Sequence, residues 1–106
     1  MGEACEAFIR HIEAGEYYEA HEVLEEVWFP RRFEDSDEIR LIKGFINASV
    51  SFELHKRGRS SPSEKTWQVY LKYRPLIDKI DKSESLHLYR RIESVLEKVY
   101  EDLFRP

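Results

Sequence analysis

The amino-acid sequence predicts an all-α fold, a single-domain bundle of about five helices over residues 1–106, on three observations. Apolar residues recur at three- and four-residue spacing almost throughout the chain. The breaks between those runs carry helix stop and start chemistry, namely glycine, proline, serine and aspartate. No Asn-Gly or Asp-Gly turn joins alternating apolar runs, so the signals of a strand pair are missing. One segment, about residues 37–57, is apolar on most of its sides and is expected to be a central helix enclosed by the others.

The first element, "EACEAFIRHIEA", places Ala4, Phe8, Ile9 and Ile12 at helical spacing, and Gly15 follows as its C-terminal stop. The second runs from about Glu16 to Phe29 and meets Pro30, which has no amide hydrogen to continue the ladder. Asp35 with Glu38 three residues later predicts a capping box at the start of the third. In "DEIRLIKGFINASVSFELHKRG", Gly44, Ala48 and Ser51 stand at i, i+4 and i+7 and predict a ridge of small residues where a neighbouring helix comes close. Glycine in mid-helix costs about 1 kcal/mol relative to alanine, and close packing is the reason expected for it here. Ser61 as N-cap, Pro62 and Glu64 predict the start of a fourth helix holding Trp67, Tyr70 and Tyr73, which Pro75 should end or kink. "DKSES" then is expected to cap a fifth, from Leu86 to Phe104. "AGEYYEAHEVLEE" looks like the opening of a tetratricopeptide unit, but no second copy follows to bury a solenoid core.

Composition narrows the function classes. A chain of 106 residues with 42% hydrophobic content has enough apolar mass for one core and is not expected to be disordered. A net charge of −4 argues against general nucleic-acid affinity, which depends on neutralising phosphates. Cys5 is the single cysteine and has no partner for an internal disulfide, so it is expected to be a small buried residue in a reducing, cytoplasmic setting. No apolar run is long enough to span a bilayer, and no signal-peptide core follows Met1. Charged residues at 36%, with Asn47 and Gln68 the only side-chain amides, match a composition seen in thermophiles.

The chemistry-bearing stretch is "GEYYEAHEVLEEVW". At about 100° per residue, Tyr17, Ala20, His21, Leu24, Val27 and Trp28 share one face, with Glu25 on its edge next to the histidine. Glu22 points elsewhere. A His–Glu pair one turn apart fixes a tautomer by hydrogen bonding, or holds a divalent cation as a metal pair of His21 and Glu25. The zinc-protease motif needs a second histidine where Glu25 stands, so that motif is absent.

"YYEAHEVLEEVW" resembles the E-A-H-E-x-x-E-x-x-W motif of the bacterial and archaeal family called domain of unknown function 309, through Glu19, Ala20, His21, Glu22, Glu25 and Trp28. A second block is similar through Gly44, Asn47, Ala48 and Ser51, closing at Gly58, and the resemblance covers about Glu3 to Gly58. It implies a compact helical domain with one helix enclosed, and it implies no activity. The chain departs from the pattern at Leu54, where a histidine is common, with His55 one place late, and at Lys43, where glutamine is usual.

Two readings from different classes follow. The first is a protein-interaction or oligomerising domain, a homodimer or a complex with another protein, in which Phe29, Phe33, Trp67 and Tyr73 face the partner. The second is a metal- or small-ligand-binding site, hydrolytic in one form, on His21, Glu22, Glu25 and Trp28 with Asn47, Ser51 or His55 from the central helix. RNA binding through the basic loop from Lys56 to Lys65, with Arg57 and Arg59, is a third and weaker alternative. His11 and His87 are expected at the surface, and no catalytic set is complete.

Overall fold

Helix α1 (Gly2–Glu13) stops because Gly15 takes φ 76°, a left-handed conformation that glycine adopts without strain. The Gly15 amide donates to the Ile12 carbonyl at 3.1 Å and the Glu16 amide to His11 at 2.8 Å, which turns the chain back into α2 (Tyr17–Trp28). The chain then forms a 3-10 turn at Phe29–Arg31, α3 (Asp37–Lys56), α4 (Ser60–Tyr73), a second 3-10 turn at Arg74–Lys79 and α5 (Leu86–Phe104). These elements come from a computed structural model that describes residues 1–105, and among them no strand occurs. The fold is all-α, with the five helices the periodicity predicts.

Three boundaries differ in chemistry from expectation. The N-cap of α3 is Ser36, whose hydroxyl accepts from the Ile39 amide at 3.3 Å, whereas Asp35 pairs with Arg40. Helix α4 begins two residues earlier than an N-cap at Ser61 would place it, with Arg59 at the cap position and no side-chain cap. Helix α5 follows Ser85, again without a side-chain cap bond. Pro75 ends α4 as predicted, and the chain tightens there into the second 3-10 turn.

Helix α3 is the enclosed element: Ile39, Leu41, Ile42, Phe45, Ile46 and Phe52 are all buried on it. Its small-residue ridge faces α4. A Cβ built on Gly44 would lie 3.0 Å from Tyr73 Cβ and 3.7 Å from the Tyr70 carbonyl, so the approach requires glycine. One turn and more along the same seam, Ser51 Oγ donates to the Ser63 carbonyl and Ser63 Oγ to the Ser51 carbonyl, both at 2.7 Å. Trp67, expected to face a partner, is therefore turned inward, whereas Tyr73 is half-buried, with only its Cβ in the seam. Trp67 is buried and stacks on Tyr100 at 4.2 Å, and Tyr73 lies against Gly44.

At the other end of the bundle, buried Tyr89 of α5 donates its hydroxyl to Glu38 Oε1 at 2.5 Å, tying α5 to the first turn of α3. Cys5 is fully buried beside them on α1, as expected. Burial pushes the Cys5 thiol up to about 11, and burial aided by Glu38 pushes the Tyr89 phenol well above its usual range. Burial also raises Tyr70.

Two outcomes follow from this packing. Gly44→Val should lower the free energy of unfolding by about 1–3 kcal/mol, the usual cost of overpacking. Urea denaturation measures it, and a variant as stable as the parent would mean that α3 and α4 do not approach closely. The second outcome is alkaline. Above the ordinary values of 9.0 and 10.0 the unfolded chain releases the Cys5, Tyr70 and Tyr89 protons while the folded chain retains them. The unfolded state then binds fewer protons, so stability is complete below about pH 9 and falls as pH rises further. Tyr89→Phe should flatten that fall and cost about 1–3 kcal/mol at neutral pH through loss of a bond to a charged group.

Candidate functional site

The second helix turns His21 toward α3, as its periodicity predicts. His21 Nδ1 lies 2.6 Å from the Tyr18 carbonyl oxygen. A carbonyl has no proton to give, so Nδ1 is the donor, and this fixes the orientation of the ring. Nε2 is left without a hydrogen bond, with Glu25 Oε2 at 3.7 Å. The Tyr18 ring meets the imidazole edge-on at 4.9 Å between centroids. The histidine side chain is 18% exposed, enough for one edge to reach solvent.

That edge opens on a groove of about 210 Å³ between α2 and α3. Tyr17, Tyr18 and His21 form its α2 wall. Val50, Glu53, Leu54 and Arg57 form the α3 wall, spaced i, i+3, i+4 and i+7 along one stripe. Glu53 is held by the Arg57 Nε donor at 2.6 Å; the carboxylate side chain is 17% exposed and the arginine 61%. Burial raises the Tyr17 phenol, and the negative charges of Asp102 and Glu53 add to the shift. The groove is thus largely apolar, with acceptor groups at its polar points.

None of the residues expected from α3 as partners of His21 lines this groove. Asn47 bonds back to the Lys43 carbonyl of its own helix at 2.9 Å. Ser51 is buried in the seam with α4. His55 packs on Phe104 of α5 at 4.3 Å and lines a separate cavity of about 360 Å³ with Trp67 and Tyr100. The reason is rotational: at about 100° per residue, Ser51 and His55 share the α4-facing side of α3, roughly 130° from the stripe that faces α2. Leu54, one residue before His55, is on that stripe. Sequence reasoning misses Glu53 and Arg57, although their i, i+4 spacing is the pattern of a helical ion pair.

Of the remaining α2 candidates, Trp28 packs on the core, meets the Phe29 ring edge-to-face at 6.5 Å and does not line the groove. Glu22 and Glu25 are exposed and, with Glu26, Phe29 and Pro30, border an open acidic ledge on the outer side of the helix. The pair His21 and Glu25 offers two donors to a cation, and among the described residues no group of three or more His, Cys, Asp or Glu is placed to hold one. Structural zinc takes four ligands and calcium six to eight, so this pair alone is a minimal set. His11 bonds to Glu16 at 2.9 Å. In the basic loop, Lys56 reaches the Gly15 carbonyl at 3.5 Å and Arg57 is occupied by Glu53. No described helix is long and apolar enough to cross a membrane.

Comparison with known proteins gives a family but no characterised relative. No curated protein and no solved structure matches the chain. A family model described as domain of unknown function (DUF309) matches residues 5–66, which contain most of α1, all of α2 and α3, both walls of the groove and the start of α4. That match covers more than half of the chain and includes both sequence blocks, so the chain belongs to the domain of unknown function 309 family.

Proposed function

We propose that this protein acts through protein contact, as a homodimer that closes over Phe29 and Phe33. The observation that carries the reading is the exposure of these two rings, 53% and 88%, on one short segment. Arg32 stacks its guanidinium on both, 3.7 Å from the Phe29 centroid and 4.4 Å from that of Phe33. The same arginine donates to the Phe29 carbonyl at 2.5 Å, so the aromatic pair is held in a fixed arrangement before any partner arrives. Aromatic residues and arginine are the types enriched at the centres of protein interfaces.

The surroundings favour a second copy as the occupant. Glu22, Glu25 and Glu26 border the patch on the α2 side, and Arg31 and Arg32 lie on the turn itself. Acidic and basic groups therefore flank one aromatic centre. A twofold axis through that centre would set the acidic ledge of each protomer against the arginines of the other. Neither Phe29 nor Phe33 belongs to the buried core, so the fold does not require them where they are. Sedimentation should show a dimer for the wild-type chain. Phe29→Ser combined with Phe33→Ser should give a monomer with a melting temperature within a few degrees of the parent, since surface substitutions away from the core change stability by only about 0.5 kcal/mol. A wild-type chain that sediments as a monomer at every concentration defeats the homodimer.

A further inference from the structure

The groove between α2 and α3 stands apart from the Phe29–Phe33 patch, and its chemistry points to a ligand of its own. Two tyrosine rings and the side chains of Val50 and Leu54 give it an apolar lining. Its polar groups other than Arg57 can accept: the Glu53 carboxylate, the hydroxyls of Tyr17 and Tyr18, and the free Nε2 of His21 at the edge. The single cation on the lining, Arg57, is already paired with Glu53. It is also the most replaceable part of the wall, being 61% exposed while its partner carboxylate is only 17% exposed.

We propose that this groove binds a small primary amine with an apolar body, its ammonium taking the place of the Arg57 guanidinium on Glu53. An ammonium carries three donors and no acceptor, which matches a site whose unoccupied polar groups accept. The faces of Tyr17 and Tyr18 attract a cation, and the aliphatic side chains receive the rest of the molecule. Arg57, 61% exposed, has room to swing into solvent, and the incoming ammonium takes over its charge beside the largely buried Glu53 carboxylate. A carboxylate ligand of the same shape would instead have to approach Glu53. The volume of about 210 Å³ lies below that of drug-sized sites, so the ligand is small.

This mechanism makes two substitutions act in opposite directions. Binding is followed by 15N-resolved NMR titration with phenethylamine, and with 3-phenylpropionate and 2-phenylethanol as probes of the same shape and different charge. Phenethylamine should bind in preference to both, with shifts centred on Tyr17, Tyr18, His21 and the stretch from Val50 to Arg57. Arg57→Gln, which removes the competing cation, should tighten amine binding severalfold. Glu53→Gln should weaken it by about tenfold or more, as the loss of a charge-assisted contact implies. The proposal is overturned if no probe binds, if the carboxylate or the alcohol binds as well as the amine, or if Arg57→Gln weakens binding. The wild-type comparison of the three probes and the exposed Arg57 variant decide the matter even where Glu53→Gln disturbs the fold.

Discussion

The close contact between α3 and α4 is the constraint on which the other packing depends. A helix apolar on most sides needs neighbours on most sides, and α4 covers one of them only because Gly44 leaves room for Tyr73. Farther along, Ser51 and Ser63 keep the separation small and satisfy buried polar atoms at the same time. Each hydroxyl has one proton, and both are directed at backbone carbonyls across the seam. The 3.1 Å contact between the two oxygens therefore adds no third hydrogen bond. Larger side chains could not occupy this seam, so aromatic bulk is displaced to its flanks. There Trp67 and Tyr70 of α4 meet Phe45 and Phe52 of α3, and Tyr100 and Phe104 of α5 extend the stack as far as His55.

The opposite side of α3 is built differently, and the contrast accounts for where a groove forms. Toward α2 the helix presents Val50, Glu53, Leu54 and Arg57 in place of glycine and serine. Tyr17 and Tyr18 come from the facing wall, with Tyr17 resting edge-on against Phe52 at 5.4 Å. Bulky rings that meet at their edges do not interdigitate as small residues do, and a solvent-connected space persists between the helices. Tight packing on one side of the central helix and loose packing on the other are two consequences of one residue pattern.

Much of this is legible in the sequence, and the limits have a physical origin. Amphipathic periodicity orients a helix that has one apolar face, so projection alone places His21 on the inward side of α2. Helix α3 has apolar residues around most of its circumference, and periodicity cannot tell which of its stripes faces α2 and which faces α4. That ambiguity is why Ser51 and His55 group with His21 on paper, although Glu53 and Arg57 share its groove in the fold; Asn47 stands on the α2-facing stripe, three residues before Val50, with its amide turned back onto the Lys43 carbonyl. The ridge of Gly44, Ala48 and Ser51 is readable because glycine in mid-helix carries a cost that a close helix contact offsets. Its partner Ser63 is not, since "SSPSE" offers three serines and the phase of α4 selects among them. Side-chain caps fail as guides for α4 and α5, neither of which has a side-chain cap bond at its start.

Helix α2 connects these features, because its 3.6-residue period sends Ala20 and Leu24 into the core and divides the polar residues on either side between two surfaces. Tyr17 and His21 go to the groove. Glu22, Glu25 and Glu26 go to the outer ledge that leads to Phe29. Glu25 lies at the boundary: its carboxylate belongs to the ledge, yet one oxygen stands 3.7 Å from His21 Nε2. Replacing Glu25 therefore alters the rim of the groove as well as the ledge. The two surfaces differ in their residues and meet at this one carboxylate, because a helix that turns by about 100° per residue sets His21 and Glu25 side by side at i and i+4 while it carries Glu22 and Glu26 outward.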